Sequence, residues 1–123
     1  MENGTPSQRP PVASQIRNFE DLETWKFSRK LRSEFYRLVE AFPRDEAYGL
    51  VAQIRRAAVS VTANLAEGYS RYSYQENLQS CRQSRGSLYE VRDHLTTALD
   101  ARYISREKYD DLDSNGDDRY SPG

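Results

Sequence analysis

Apolar residues recur at three- and four-residue steps through most of this chain. The first run comprises Leu22, Trp25, Ser28, Leu31, Phe35, Leu38, Val39 and Phe42, a spacing that places them on one face of an amphipathic helix closed by Pro43. A second helix is predicted from Asp45 or Glu46, acids placed to meet the free N–H groups of a helix start, with Gly68 as a natural stop. Its apolar face is Leu50, Ile54, Ala57, Val61 and Leu65. Ser73-Tyr74-Gln75-Glu76 matches a capping box and opens a third helix through Asn77, Cys81, Ser84, Leu88, Val91, Leu95 and Ala98, closing near Arg102. Ser105 is placed to cap a fourth, but after Leu112 the run Asp113-Ser114-Asn115-Gly116-Asp117-Asp118 brings turn formers and like charges, so this helix is predicted to be stunted.

These elements predict an all-α fold: an antiparallel up-and-down bundle of three long helices with a short or truncated fourth, over residues 19–112. Residues 1–18 hold Pro6, Pro10 and Pro11 among polar neighbours and read as a disordered leader; residues 113–123 read as a disordered acidic tail. Core candidates are Leu22, Trp25, Phe35, Val39, Leu50, Ile54, Ala57, Val61, Leu65, Leu78, Cys81, Leu88, Val91, Leu95 and Leu99. The alanines at 57, 58, 63 and 66 and the small residues Ser84, Gly86 and Ser87 leave room for a neighbouring backbone. A bundle lacking most of one helix leaves an apolar groove exposed: either a partner chain covers it, or the fourth helix is vestigial and the fold marginal.

Beside the apolar face of the second helix runs an ordered polar stripe: Gln53, Arg56, Ser60, Asn64 and Glu67. Arg56 and Glu67 lie roughly 16 Å apart along the axis at 1.5 Å per residue, so they cannot pair with each other. Arg82, Arg85 and Arg92 on the third helix and Glu34 or Glu40 on the first are the candidate partners. The stripe reads first as a device fixing helix register or a subunit interface, and second as a contact to a ligand or nucleic acid.

Composition narrows the function classes. Eighteen Lys and Arg against nineteen Asp and Glu give a formal net charge of -1, without the strongly basic field of a dedicated nucleic-acid binder. Cys81 is the sole cysteine, which excludes an intrachain disulfide; with no secretory start and no run long enough to span a membrane, the expected compartment is the cytoplasm. No enzyme is expected, because His94 has no evident catalytic partner and Cys81 falls on the bundle seam. The aspartates at 113, 117 and 118 are a poor calcium loop, with the glycine too early and no closing glutamate, and no cofactor or metal is expected. The material for RNA or DNA contact is Arg55, Arg71, Arg82, Arg85 and Arg92 interleaved with Tyr69, Tyr72, Tyr74 and Tyr89; a tyrosine-rich protein interface is the competing reading. The nucleic-acid candidates are Arg55, Arg71, Arg82, Arg85 and Tyr72.

The spaced string Gln53, Arg55, Arg56, Ala57, Ser60, Asn64, Glu67 and Gly68 resembles the signature of a known family, the bacterial four-helix-bundle proteins of 23S ribosomal RNA intervening sequences. The resemblance extends to Phe19, Leu22, Trp25, Phe42-Pro43, Glu46, Tyr48-Gly49-Leu50 and Gly86-Ser87-Leu88-Glu90, covering about residues 19–109. It implies a homo-oligomer closed as a pentameric ring, in which each arginine would be repeated around an axis, and a non-enzymatic scaffold associated with RNA or DNA. Related bundle proteins accompany reverse transcriptases in diversity-generating elements, so the resemblance also admits a protein-interaction accessory module. Family members carry further leucine-bearing turns in the fourth helix, where this chain ends in Arg119-Tyr120-Ser121-Pro122-Gly123.

Overall fold

The alternation of apolar faces and breakers resolves into four helices in the computed structural model, which describes residues 19–70 and 73–119 and the side chains of 21–70 and 73–114. They are α1 (Phe19–Val39), α2 (Leu50–Tyr69), α3 (Tyr74–Asp100) and α4 (Arg106–Arg119), with a 3-10 turn at Arg44–Glu46 between α1 and α2. No strand occurs among the described residues. The expected leader, residues 71 and 72, and residues 120–123 lie outside them.

Hydrogen bonds at the two ends of the bundle fix its antiparallel course. Near the close of α2 the Tyr69 hydroxyl donates to the carbonyl of Asp21, at the start of α1, over 2.9 Å. At the opposite end Tyr103, just beyond α3, stacks at a tilt on Phe42 with centroids 5.4 Å apart and donates its hydroxyl to Glu46 Oε2 at 2.8 Å. Glu46 Oε1 accepts from the backbone N–H of Leu50 at 3.2 Å, so this acid does cap α2, from four residues before a helix that starts later than its sequence suggests. The expected cap of α3 is present, with Ser73 Oγ accepting from Glu76 N at 3.4 Å, and Ser105 Oγ accepts from Lys108 N at 3.0 Å to start α4.

Helix α2 is the centre of the fold, packing most extensively on α3 and next on α1, while α4 rests on α3. Leu31, Phe35 and Val39 meet Ile54, Ala57, Ala58, Val61 and Leu65 of α2 and Leu88, Val91, Leu95 and Ala98 of α3 in one buried cluster that includes Leu112 of α4. Of the expected core, Leu22, Trp25, Leu50, Leu78, Cys81 and Leu99 are half-buried instead, forming its rim. Phe42, Val51, Tyr69 and Ile104 are buried in addition.

The α2–α3 contact is close enough for a side chain of one helix to reach the backbone of the other. Ser84, fully buried, donates its hydroxyl to the Val61 carbonyl at 2.7 Å. Gly68 is part of the same approach: it does not stop α2, which continues to Tyr69, and a Cβ at this position would lie 2.9 Å from Ser80 Cβ. Its lack of a side chain serves packing rather than termination.

The fourth helix also departs from expectation. It stays the shortest of the four, yet it continues through Asp113-Ser114-Asn115-Gly116 to Arg119, across residues expected to be an acidic tail. Leu112 is buried, and Asp113 accepts from Arg92 Nε of α3 at 2.8 Å. These tertiary contacts outweigh the modest propensity cost of Asn and Gly, roughly 1 kcal/mol or less each.

Helix α3 ends in a tight reversal in which Tyr103 N bonds the Ala98 carbonyl at 2.9 Å and Arg102 N bonds the Leu99 carbonyl at 3.0 Å. That pairing requires a left-handed residue, and here it is Arg102, at φ 63°. Arg102→Gly is accordingly expected to raise stability by up to about 1 kcal/mol, seen as a later urea midpoint, since glycine carries no steric penalty in this region. Gly68→Ala should do the reverse, with a net loss of about 1–2 kcal/mol in the same measurement, as overpacking exceeds the gain in helix propensity.

Candidate functional site

Helix α2 has two flanks, and its charged residues behave differently on each. On the flank facing α3, the expected polar stripe forms a clamp between the helices. Arg56 Nη2 donates to Gln53 Oε1 at 3.0 Å and to the carboxylate of Glu90 on α3, which also accepts from His94 Nε2 at 3.1 Å. None of the partners suggested for Arg56 from the sequence is used; the missed partner is Glu90. The missed signal was the i,i+4 pair Glu90 and His94 facing the stripe. His94 is therefore not isolated, although among the described residues no hydroxyl or thiol is hydrogen-bonded to it. Ser60 and Asn64 are half-buried farther along this flank, and Glu67 is exposed.

The flank facing α1 carries arginines that are held without carboxylates. Arg55 lies over the ring of Tyr36 at 5.4 Å, and its Nε is buried without a hydrogen-bond partner. Arg32 Nη1 donates to Thr62 Oγ1 at 2.8 Å, and one turn earlier on α1 Arg29 lies over Trp25 at 5.6 Å. Arg32, Ser33, Tyr36 and Val59 line an open groove between the two helices, with Tyr36 and Val59 38% and 41% exposed. Three other described arginines are engaged by acids, Arg56 by Glu90, Arg92 by Asp113 and Arg106 by Asp110.

The nucleic-acid candidates named from sequence do not form one patch. Arg55 belongs to the α1–α2 groove, whereas Arg82 is exposed and Arg85 half-buried on α3. Arg71 and Tyr72 lie outside the described residues. Tyr69 is withdrawn into the core, with its hydroxyl on Asp21, and Tyr89 lies under Arg92, which is held by Asp113. Tyr36, Arg32 and Arg29 were missed because their relation to Arg55 depends on the pairing of α1 with α2.

The Cys81 thiol donates to Asn77 Oδ1 at 3.4 Å and is pushed above its ordinary pKa by burial and by the Asp21 carboxylate, which disfavours the reactive thiolate. Among the described residues no group of three or more His, Cys, Asp or Glu is placed to hold a metal ion, and no helix is long and apolar enough to cross a membrane.

The clamp has a pH signature. The hydrogen bond from His94 is the largest influence and holds the Glu90 carboxyl below its ordinary range; burial opposes it, and the hydrogen bond and charge of Arg56 add to the lowering. A carboxyl lowered in the folded state adds stability above its unfolded pKa and loses it as pH falls through the folded value. Glu90→Gln should therefore cost about 0.2–1 kcal/mol at neutral pH, as for a partly exposed pair. That difference from the unaltered chain should shrink to nothing in urea titrations carried well below the ordinary carboxylate range.

Comparison with known proteins agrees with this architecture. No curated protein matches the chain. A crystal structure of a protein of unknown function from the S23 ribosomal protein family of Bacteroides thetaiotaomicron superposes with a TM-score of 0.74 at 17% identity, covering 83% of this chain and 92% of that one. At that identity the likeness concerns the fold. The family model of the 23S rRNA-intervening sequence protein matches residues 20–118, from the first turns of α1 into α4. The chain thus belongs to the 23S rRNA-intervening sequence protein family.

Proposed function

We propose that this protein is a non-enzymatic helical scaffold, assembled from identical copies in the cytoplasm, that holds RNA through the arginine-lined groove between α1 and α2. The observation carrying this reading is that Arg29, Arg32 and Arg55 are positioned by Trp25, Thr62 and Tyr36, without a carboxylate ion-pair partner among the described residues. Their charge is therefore not cancelled locally, while the prearranged side chains lose less freedom on meeting phosphate. A chain with a formal net charge of -1 needs such segregation to attract a polyanion at all. Repeating the groove around a ring, as the family resemblance implies, would multiply a weak single site.

The test is RNA binding across a salt series, using an RNA with both paired and unpaired segments. Three phosphate contacts predict a slope of log K against log salt of about -2 per site, a loss of roughly 20-fold between about 50 and 200 mM salt. Arg55→Ala should reduce that slope by about 0.7. No binding by the intact assembly at low salt refutes the reading. Light scattering coupled to size exclusion tests the assembly itself, and a stable monomer removes the ring.

A protein-interaction module, such as an accessory to a reverse transcriptase, is the second reading. It is favoured by Tyr48 and Tyr74, 99% and 76% exposed at element starts, where tyrosine suits a protein contact better than an isolated surface. A polymerase recovered with the protein after nuclease treatment would favour this class over direct RNA contact.

A further inference from the structure

The groove's arginines account for attraction to phosphate, but they leave Tyr36 and Val59 unexplained. A duplex presents a charged outer backbone with its base faces stacked inside, so an apolar wall between arginines adds nothing to duplex binding. An unpaired strand offers both features at once, backbone charge and free base faces. Tyr36 is 38% exposed and carries the Arg55 guanidinium over its ring at 5.4 Å. A guanidinium held over an aromatic ring is itself a flat platform on which a base can continue the stack. The buried, unpartnered Nε of Arg55 leaves its terminal nitrogens as the donors available to a phosphate or base edge.

Spacing along α1 supports the same occupant. Arg32, Ser33 and Tyr36 line the groove from α1, and Arg29 lies one turn before Arg32 on the same helix, so cation, cation and ring follow one another over roughly 10 Å. Across it Val59 lines the groove from α2, with Arg55 one turn before it on the same face and over the Tyr36 ring. Ser33, between the two sides, has its hydroxyl turned to the Arg29 carbonyl at 3.2 Å and so adds little polarity to the wall.

From the Arg55–Tyr36 stack inside this arginine-lined groove, we infer that the site selects unpaired RNA, with a base stacked at Tyr36 and the flanking phosphates held by Arg29, Arg32 and Arg55. The inference rests on the RNA-scaffold reading and specifies which form of RNA that scaffold takes. Arg55 and Arg32 supply the salt-dependent part of the affinity, and Tyr36 supplies discrimination between unpaired and paired strands.

The experiment compares the full chain on two labelled probes by fluorescence anisotropy at low salt: an unstructured uridine-rich RNA, and a blunt-ended RNA duplex with the same number of phosphates. The unaltered protein should favour the unstructured strand, and Tyr36→Ala should weaken that complex by about 5- to 150-fold, the range for loss of one base stack. Duplex affinity should fall by a clearly smaller factor, that of Arg55 losing its platform, and the salt slope should not change. Tyr36→Phe should retain the preference, and Tyr36→Leu, which keeps apolar bulk for folding while removing the ring, should behave as Tyr36→Ala. Equal affinity for both probes, or a Tyr36→Ala loss shared equally by the duplex, overturns the selection of unpaired RNA and leaves the scaffold reading standing. Binding to neither probe overturns both.

Discussion

A serine hydroxyl can hydrogen-bond a carbonyl of a neighbouring helix only if the two backbones come nearer than large side chains allow. Ser84 on the Val61 carbonyl, and Gly68 against Ser80, impose that approach along much of the α2–α3 seam. Once it is fixed, α2 has no freedom to roll: Ala57, Val61 and Leu65 are committed to the interior, and the residues to either side are committed to opposite flanks. The remaining charged contacts follow from that orientation, as Arg56 is carried to Glu90 and Arg55 to Tyr36 although the two arginines adjoin in sequence.

The division explains how a nearly neutral chain can present a basic surface. Acidic groups engage Arg92 of α3, Arg106 of α4 and Arg56 on the α3 flank of α2, in Arg56–Glu90, Arg92–Asp113 and Arg106–Asp110. On the α1 flank the guanidinium groups are oriented by rings and a hydroxyl, which steady them without cancelling their charge. Charge is thus distributed by helix face more than by sequence segment.

Periodicity made the helices readable, because burying one face is the dominant requirement on each and leaves an imprint every three to four residues. The small residues were informative too: Ala57, Ala58 and Ser84 lie where a second backbone comes close, whereas Gly86 faces open space. Two local signals misled. Gly68 has the composition of a stop but the role of a contact, and the turn formers after Leu112 were overridden by packing and by Arg92. The groove was the least legible feature, since Tyr36 and Arg55 are brought together by helix pairing and belong to no contiguous motif. Clustering arginines by sequence proximity had instead grouped Arg55 with Arg82 and Arg85, which lie on a different helix.

The attachment of α4 differs in kind from that of the other helices. Among the described residues it contributes one buried leucine, with Tyr109 at the rim, and packs chiefly on α3, where Asp113 pairs with Arg92, whereas α1, α2 and α3 share one buried cluster. Its amides are therefore the natural first site of hydrogen exchange among the four helices, opening as a separate cooperative unit while the three-helix interior stays shut. Were α4 to open in this way, whatever borders it would sense an equilibrium that global unfolding does not report.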